Sequence, residues 1–331
     1  MTGPTPVVEV DKPDEAGSSR LRKSVFALMA AGLVIVTLGH VERVQDVDPQ
    51  YVSLIVDRAE AFGGTFYENG IYGKGPLEPA VHWIGSLMTT DAGYWFAIAG
   101  AVALISLLIA LTGARTASSV GAGPAAAVSV GVAAFVAFTF SDAQFAGVLW
   151  VRNLTISLLA GAWLILLWDG AWVTSRRRTL AVIAMSALVG LSAQTLLTSA
   201  LSGATLLIGA ILLLRERAPE WERIKLLGIG FIAFDAAFLS APIWYWARGA
   251  WEEFWAGWWV HANYMSSGTQ RSLPSQLWLG VRKIYEYHRE HPLVLVVLLA
   301  FAVAVVSQWK RWSRPMRIVA ATAAAWWLAG W

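Results

Sequence analysis

The chain contains no cysteine, and only 14% of its 331 residues are charged, against 57% that are hydrophobic. The first absence excludes disulfides and thiolate metal sites, so any metal would rest on oxygen or histidine ligands. The compartment must then be read from topology rather than from redox chemistry. The shortage of charge is too severe for a soluble protein of this length and marks a polytopic membrane protein, in line with a mean hydropathy of +0.55. A formal net charge of +3 is too small to imply a nucleic-acid partner, and the basic residues fall in loops rather than on one face. Tryptophan is in excess: 19 residues, gathered near the ends of apolar runs and in one polar segment. That placement suits interfacial belts and a wide groove better than a sealed core.

The first 23 residues are polar, Pro/Gly/Ser-rich and closed by Arg20, Arg22 and Lys23, which predicts a disordered cytoplasmic tail. Ser24 to His40 is long enough to cross about 30 Å of hydrocarbon at about 1.5 Å per residue. No small-residue cleavage site follows, so it reads as a signal anchor. Further apolar runs lie at 94–112, 124–140, 145–168, 180–198, 201–214, 226–246, 292–308 and 318–331. The expectation is an all-α, single transmembrane domain over 24–331 with nine crossings. The 180–214 stretch is either two short helices or a re-entrant hairpin. The last run stops at Trp331, which fits an unusually short final helix or the front part of a longer chain.

With an even number of crossings in 180–214, 16 of the 25 Lys and Arg fall on the cytoplasmic side: Lys12, Arg20, Arg22, Lys23, Arg115, Arg176 to Arg178, Arg215, Arg217, Arg223, Lys225, Lys310, Arg311, Arg314 and Arg317. All of the others except Arg152 sit in two long outer segments, 41–93 and 247–291, where the positive-inside rule has less force. The predicted location is the cytoplasmic (inner) membrane, N-terminus inside and both long segments extracytoplasmic.

The first outer segment begins with Asp46-Val-Asp48-Pro49. After it, Tyr51, Ile55, Ala59 and Phe62 share one helical stripe with Val52 and Val56 beside it, which predicts an amphipathic helix lying on the membrane. Asp48 suits its N-cap and Pro49 its first turn. Gly63-Gly64 should end it. A Gly/Pro-punctuated loop follows, with Tyr67-Glu68, Lys74 and Glu78.

The order of first helix, acidic pair, nearby Tyr, amphipathic helix closed by Gly, Tyr67-Glu68 and the Lys74-Gly75-Pro76-Leu77 turn resembles the first outer loop of C-type (GT-C fold), polyprenyl-phosphate-dependent membrane glycosyltransferases. It is nearest to the protein O-mannosyltransferase and lipid A aminoarabinose transferase group, where a later loop reads Lys-Pro-Pro-Leu. Asp48-Pro49 is also similar to the oligosaccharyltransferase catalytic subunit, whose Trp-Trp-Asp-Tyr-Gly sequence this chain lacks. The resemblance covers roughly residues 20 to 110. Two departures stand out: the acids are separated by Val47, and Gly75 replaces the first Pro.

The resemblance implies an inverting transfer of a sugar from a polyprenyl-phosphate donor to an envelope glycan, lipid or protein on the extracytoplasmic face. A sugar on a lipid phosphate already carries a good leaving group. What remains is a base for the acceptor hydroxyl and cations for the departing phosphate. Asp48 or Asp46 is then the base or acceptor-orienting acid, and the loop at Lys74, with Tyr67 and Glu68, helps hold the donor.

In the second outer segment, Trp251, Phe254, Trp255, Trp258 and Trp259 recur at helical spacings, as an interfacial belt would. His261, Tyr264 and Arg271 follow in a Ser/Gly loop whose composition suits closure over a sugar or lipid phosphate. Arg271 is the preferred phosphate ligand, since a guanidinium grips two oxygens. Lys283, His288 and Arg289 are weaker candidates.

Two charges fall inside apolar runs. Arg152 either meets the donor phosphate or snorkels outward. Asp235 lacks a second acid of the kind a proton relay would need. The sequence assigns no definite cofactor. A divalent cation on Asp46 or Asp48 with His82 and His261 is a minor alternative, without the short His spacing of common metal sites. The alternative functions are a transporter or flippase of a lipid-linked saccharide, which should carry its charges near the midplane on broken helices, and a non-catalytic subunit of an envelope synthase.

Overall fold

A computed structural model of the chain describes residues 47–70, 75–77, 79–80, 83, 106–118, 123–139, 151–195 and 199–260, with single positions at 278, 282, 285–286, 289, 303, 306, 309, 312, 314, 317–318, 320–322 and 325. The regular structure among these residues is helical: α1 Val47–Phe62, α2 Phe66–Asn69, α3 106–118, α4 Pro124–Thr139, α5 Val151–Leu167, α6 Ser175–Thr195, α7 Ser199–Arg217, α8 Glu220–Ala247 and α9 Trp251–Trp255. A 3₁₀ turn, Asp169–Trp172, joins α5 to α6, and α9 runs on as a π-helix over Ala256–Val260.

Three of these helices, α6, α7 and α8, are long and apolar enough to cross a bilayer, and Pro124–Phe135 and Leu154–Leu167 are shorter apolar helices. The stretch left open between two short helices and a re-entrant hairpin is thus two helices of 21 and 19 residues. Each extends past its apolar run, because Ser175 to Thr179 and Arg215 to Arg217 continue the helix into polar sequence. Of the nine expected crossings, the first lies outside the described residues, and the second, fourth, eighth and ninth are described only in part.

Helix α6 is the hub. It pairs with α7 through a three-residue connection, and the buried Ser192 and Ser199 hydroxyls meet at 2.7 Å. Gly203 leaves no room for a side chain beside Val189, so the two helices run antiparallel. Helix α8 then returns parallel to α6 with a constant offset. Arg178 meets Glu222, and Gln194 meets Phe238, both 44 residues apart. Between these pairs a Cβ on Gly190 would come within 2.5 Å of the Phe234 carbonyl, and one on Gly230 within 3.0 Å of Val182. Small residues at these crossings let the backbones approach, as packing between membrane helices requires. Helix α6 also packs on α5, in a cluster that includes Trp163, Leu166, Met185 and Val189. Trp163 Nε1 donates to Thr116 Oγ1 at 3.0 Å, which fastens α5 to α3.

The outer face of α8 carries exposed Phe231, Ile232, Leu239 and Ile243. Large apolar side chains left open along a long apolar helix suit contact with lipid. The two ends of the bundle differ in chemistry. At the end where α6 begins and α7 stops, Arg178 grips Glu222 through Nε and Nη2 (2.9 and 2.8 Å) while its Nη1 donates to the Trp172 and Val173 carbonyls. Arg217 pairs there with Asp169, and Arg314 with Glu216. The opposite end is aromatic.

Candidate functional site

The aromatic end is built by the two segments expected to lie outside the membrane. Helix α1 places Val52, Ile55 and Val56 on one buried face, as the stripe predicts. That face lies in a cluster with Tyr245, Phe254 and Trp258, so it is covered by protein rather than laid on lipid, and this corrects the expectation of a membrane-surface helix. Phe62, on the same predicted stripe, is exposed. Helix α1 begins at Val47, which makes Asp48 its second residue rather than the residue that caps it. Its end is as expected: Gly63 and Gly64 have φ of 79° and 88°, a conformation that favours glycine.

Helix α2 carries the predicted Tyr67-Glu68 pair. Glu68 Oε2 accepts from the Thr65 backbone N–H, the return half of a capping box. Thr65, through its side chain and then its backbone, holds the Glu68 carboxyl below the usual carboxylate range. Asp57, on α1, is shifted the other way, by desolvation and by repulsion from Glu60. Tyr67 is buried, with its ring edge-on to Tyr245 at 5.3 Å and to Phe254 at 5.4 Å.

Helix α8 stops in a Schellman turn. Gly249 (φ 76°) donates to the Trp246 carbonyl and Ala250 to that of Tyr245, and Ala250 and Tyr245 are both buried in the same cluster. The chain therefore turns sharply and lays α9 back against α8. Phe254 stacks on Tyr245 at 4.7 Å, and Trp258 lies 5.1 Å from Phe254. The other face of α9 is a ladder in which Trp255 stacks between Trp251 and Trp259 at 5.5 and 5.4 Å. The expected belt thus has two faces, one filling the junction and one half-exposed.

Gly75 docks at the same end. Gly75 N donates to the carbonyl of Thr195, the last residue of α6, at 3.0 Å. A side chain at position 75 would collide with the Gln194 carbonyl. Glycine therefore fits position 75 where proline would not, since a proline has no N–H to donate and carries the Cβ that this contact excludes.

Of the predicted site residues, Tyr67 and Glu68 are in the junction, Tyr67 buried and Glu68 exposed. Asp48 is placed by its backbone at the start of α1, and Arg152 by its backbone as the second residue of α5. Asp46, Lys74, His261, Tyr264 and Arg271 lie outside the described residues, as do His82, Lys283 and His288. Arg289 is exposed, and Asp235 is partly buried on α8. Among the described residues, no group of three or more His, Asp or Glu could hold a metal.

Sequence reasoning missed Tyr245 and Gln194. Tyr245 was hidden in an apolar run, although a Tyr between two Trp near the end of a run is an interfacial signal. Gln194 is a lone amide inside a membrane run, a position that needs a partner. Comparison with known proteins adds no assignment: no protein-family model, no curated protein and no solved structure matches this chain.

Proposed function

We propose that the chain is an integral-membrane glycosyltransferase of the C type, with nine membrane crossings and its site at the aromatic end of the bundle on the extracytoplasmic side. The observation that carries this reading is the convergence of the two outer segments. Tyr67 of the first packs against Phe254 of the second, and both rings meet Tyr245 at the end of α8, opposite the end where the arginines gather. A site for a lipid-linked sugar needs such a junction at the membrane surface, where a head group lies.

In this reading Asp48 or Asp46 accepts the proton of the acceptor hydroxyl. The acceptor oxygen bonds to the anomeric carbon, the bond from that carbon to the phosphate oxygen breaks with inversion, and the electron pair leaves on the phosphate. Lys74, Arg271 and Arg152 hold the phosphate as its charge grows. Glu68, His261 and Tyr264 complete the polar lining, and Tyr67 fastens the two segments beneath it. The partners are a polyprenyl-phosphate sugar and an envelope glycan, lipid or protein. The transporter reading gains little from α8, whose proline, Pro242, lies near its end rather than its middle.

The test is product formation by purified protein from a panel of radiolabelled polyprenyl-phosphate sugars with a crude envelope acceptor, with donor binding followed in parallel. Product is expected for at least one sugar. Arg271→Lys, which keeps the charge but not the two-oxygen grip, should slow transfer less than Arg271→Ala, with rate affected more than binding. Donor binding with no product for any sugar would overturn the transferase in favour of a flippase or a non-catalytic subunit.

A further inference from the structure

We propose that Gln194 is a positioning residue that joins three parts at the aromatic end of the bundle: the end of α6, the proline bend of α8 and the loop at Gly75. Pro242 lies inside α8. It has no N–H for the carbonyl of Phe238, four residues back, and its ring crowds that carbonyl. In an apolar setting an unpaired carbonyl is costly. The Gln194 amide fills the gap: Nε2 donates to the Phe238 carbonyl at 3.0 Å and lies 3.2 Å from both the Ala237 carbonyl and Ser240 Oγ. Ser240 Oγ adds a bond to Ala237 O at 2.8 Å. Gln194 is itself only 3% exposed, so no water replaces either partner freely.

The main chain of the same turn faces the other way. The Gln194 carbonyl excludes a side chain at position 75, and the Thr195 carbonyl accepts from Gly75 N. One turn of α6 therefore bonds α8 through a side chain and the first outer loop through its backbone. Three residues beyond the bend, Tyr245 enters the ring cluster with Tyr67 and Phe254. Gln194 thus sets the position of α8's terminal turns relative to the loop. Only the bearing on Lys74, the residue before Gly75, rests on the transferase reading. The coupling of Gln194 to Pro242 does not.

The experiment uses the purified full-length protein in detergent, with two readouts. One is the thermal midpoint, and the other is the labelling rate of a single cysteine introduced at Leu77, partly buried two residues after Gly75, in the otherwise cysteine-free chain. Gln194→Leu should lower the midpoint and speed labelling several-fold. Pro242→Ala returns a main-chain donor to the Phe238 carbonyl, so in the double variant most of both losses should be recovered. A residue that merely fills space would show no such rescue. Should Gln194→Leu fail to accumulate, recovery of the folded protein by Pro242→Ala is the same readout.

Additive losses in the double variant, its continued failure to accumulate, or an unchanged labelling rate in Gln194→Leu would each overturn the proposal. Absence of transfer by the wild-type protein would remove the glycosyltransferase and leave both readouts intact.

Discussion

The ring of Tyr67 occupies the space where a side chain on Gly257 would be, so the first outer segment and the turn after α9 are in direct contact. Gly257→Ala must push the ring away, and overpacking of this kind destabilises by about 1 to 3 kcal/mol. Tyr67→Ala should cost about 3 to 5 kcal/mol, as loss of a buried aromatic does. Because the alanine at 257 fills part of the cavity, the double variant should be more stable than the sum of the two losses predicts. Thermal unfolding of the four proteins measures this. Strict additivity would mean that the two residues do not touch.

If the chain is the transferase proposed above, Asp48→Asn should lose about 10² to 10⁴ in transfer rate while the protein still inserts and folds, the usual consequence of removing a general base. Asp46→Asn is the comparison. Near-normal turnover in both would remove the two acids from the base role.

The membrane orientation is open to direct test because the chain has no cysteine. Single cysteines at Ser53 and Ser272 should react with an impermeant thiol reagent in intact cells, and those at Ser118 and Ser175 only after lysis. Labelling of Ser175→Cys but not Ser53→Cys in intact cells would invert the topology.

Arg178 and Glu222 form a buried bidentate pair. Removing one partner strands a charge, so Arg178→Met or Glu222→Leu alone should destabilise by about 3 to 5 kcal/mol. The double variant, with no charge left to bury, should regain most of that loss. Equal losses in the single and double variants would show that packing matters there and the charges do not.

Glu68 and Asp57 should respond to pH in opposite senses. Thr65 lowers the Glu68 pKa in the folded protein, so its stabilising contribution is complete above the unfolded carboxylate range and fades as pH falls through the folded value. Glu68→Gln should therefore lower the thermal midpoint at pH 7 and converge with wild type in acid. Asp57 is raised, so its charge opposes folding at neutral pH and is relieved by acid. Asp57→Asn should raise the midpoint slightly at pH 7 and not at low pH. A Glu68→Gln deficit that grows in acid would contradict the capping role.

Much of the local structure was legible because it depends on neighbours in sequence. The Gly63-Gly64 stop, the Val52/Ile55/Val56 face and the helical Trp251 to Trp259 segment follow from backbone freedom and periodicity. Asp48 falls within α1 rather than at its cap, since Asp48-Pro49 is compatible with either a cap or a first turn.

The sequence by itself determined that this is a helical membrane chain with most of its arginines outside the apolar runs, because hydrophobic length and charge are additive properties of a segment. Only the tertiary structure decided what the polar and aromatic residues are for. Whether the α1 face meets lipid or protein depends on Tyr245 and Phe254, almost two hundred residues away. Whether Gln194 is a misplaced amide or the missing donor of a proline bend depends on the 44-residue offset between α6 and α8. Such roles belong to pairs of residues, and the pairs exist only once the helices have packed.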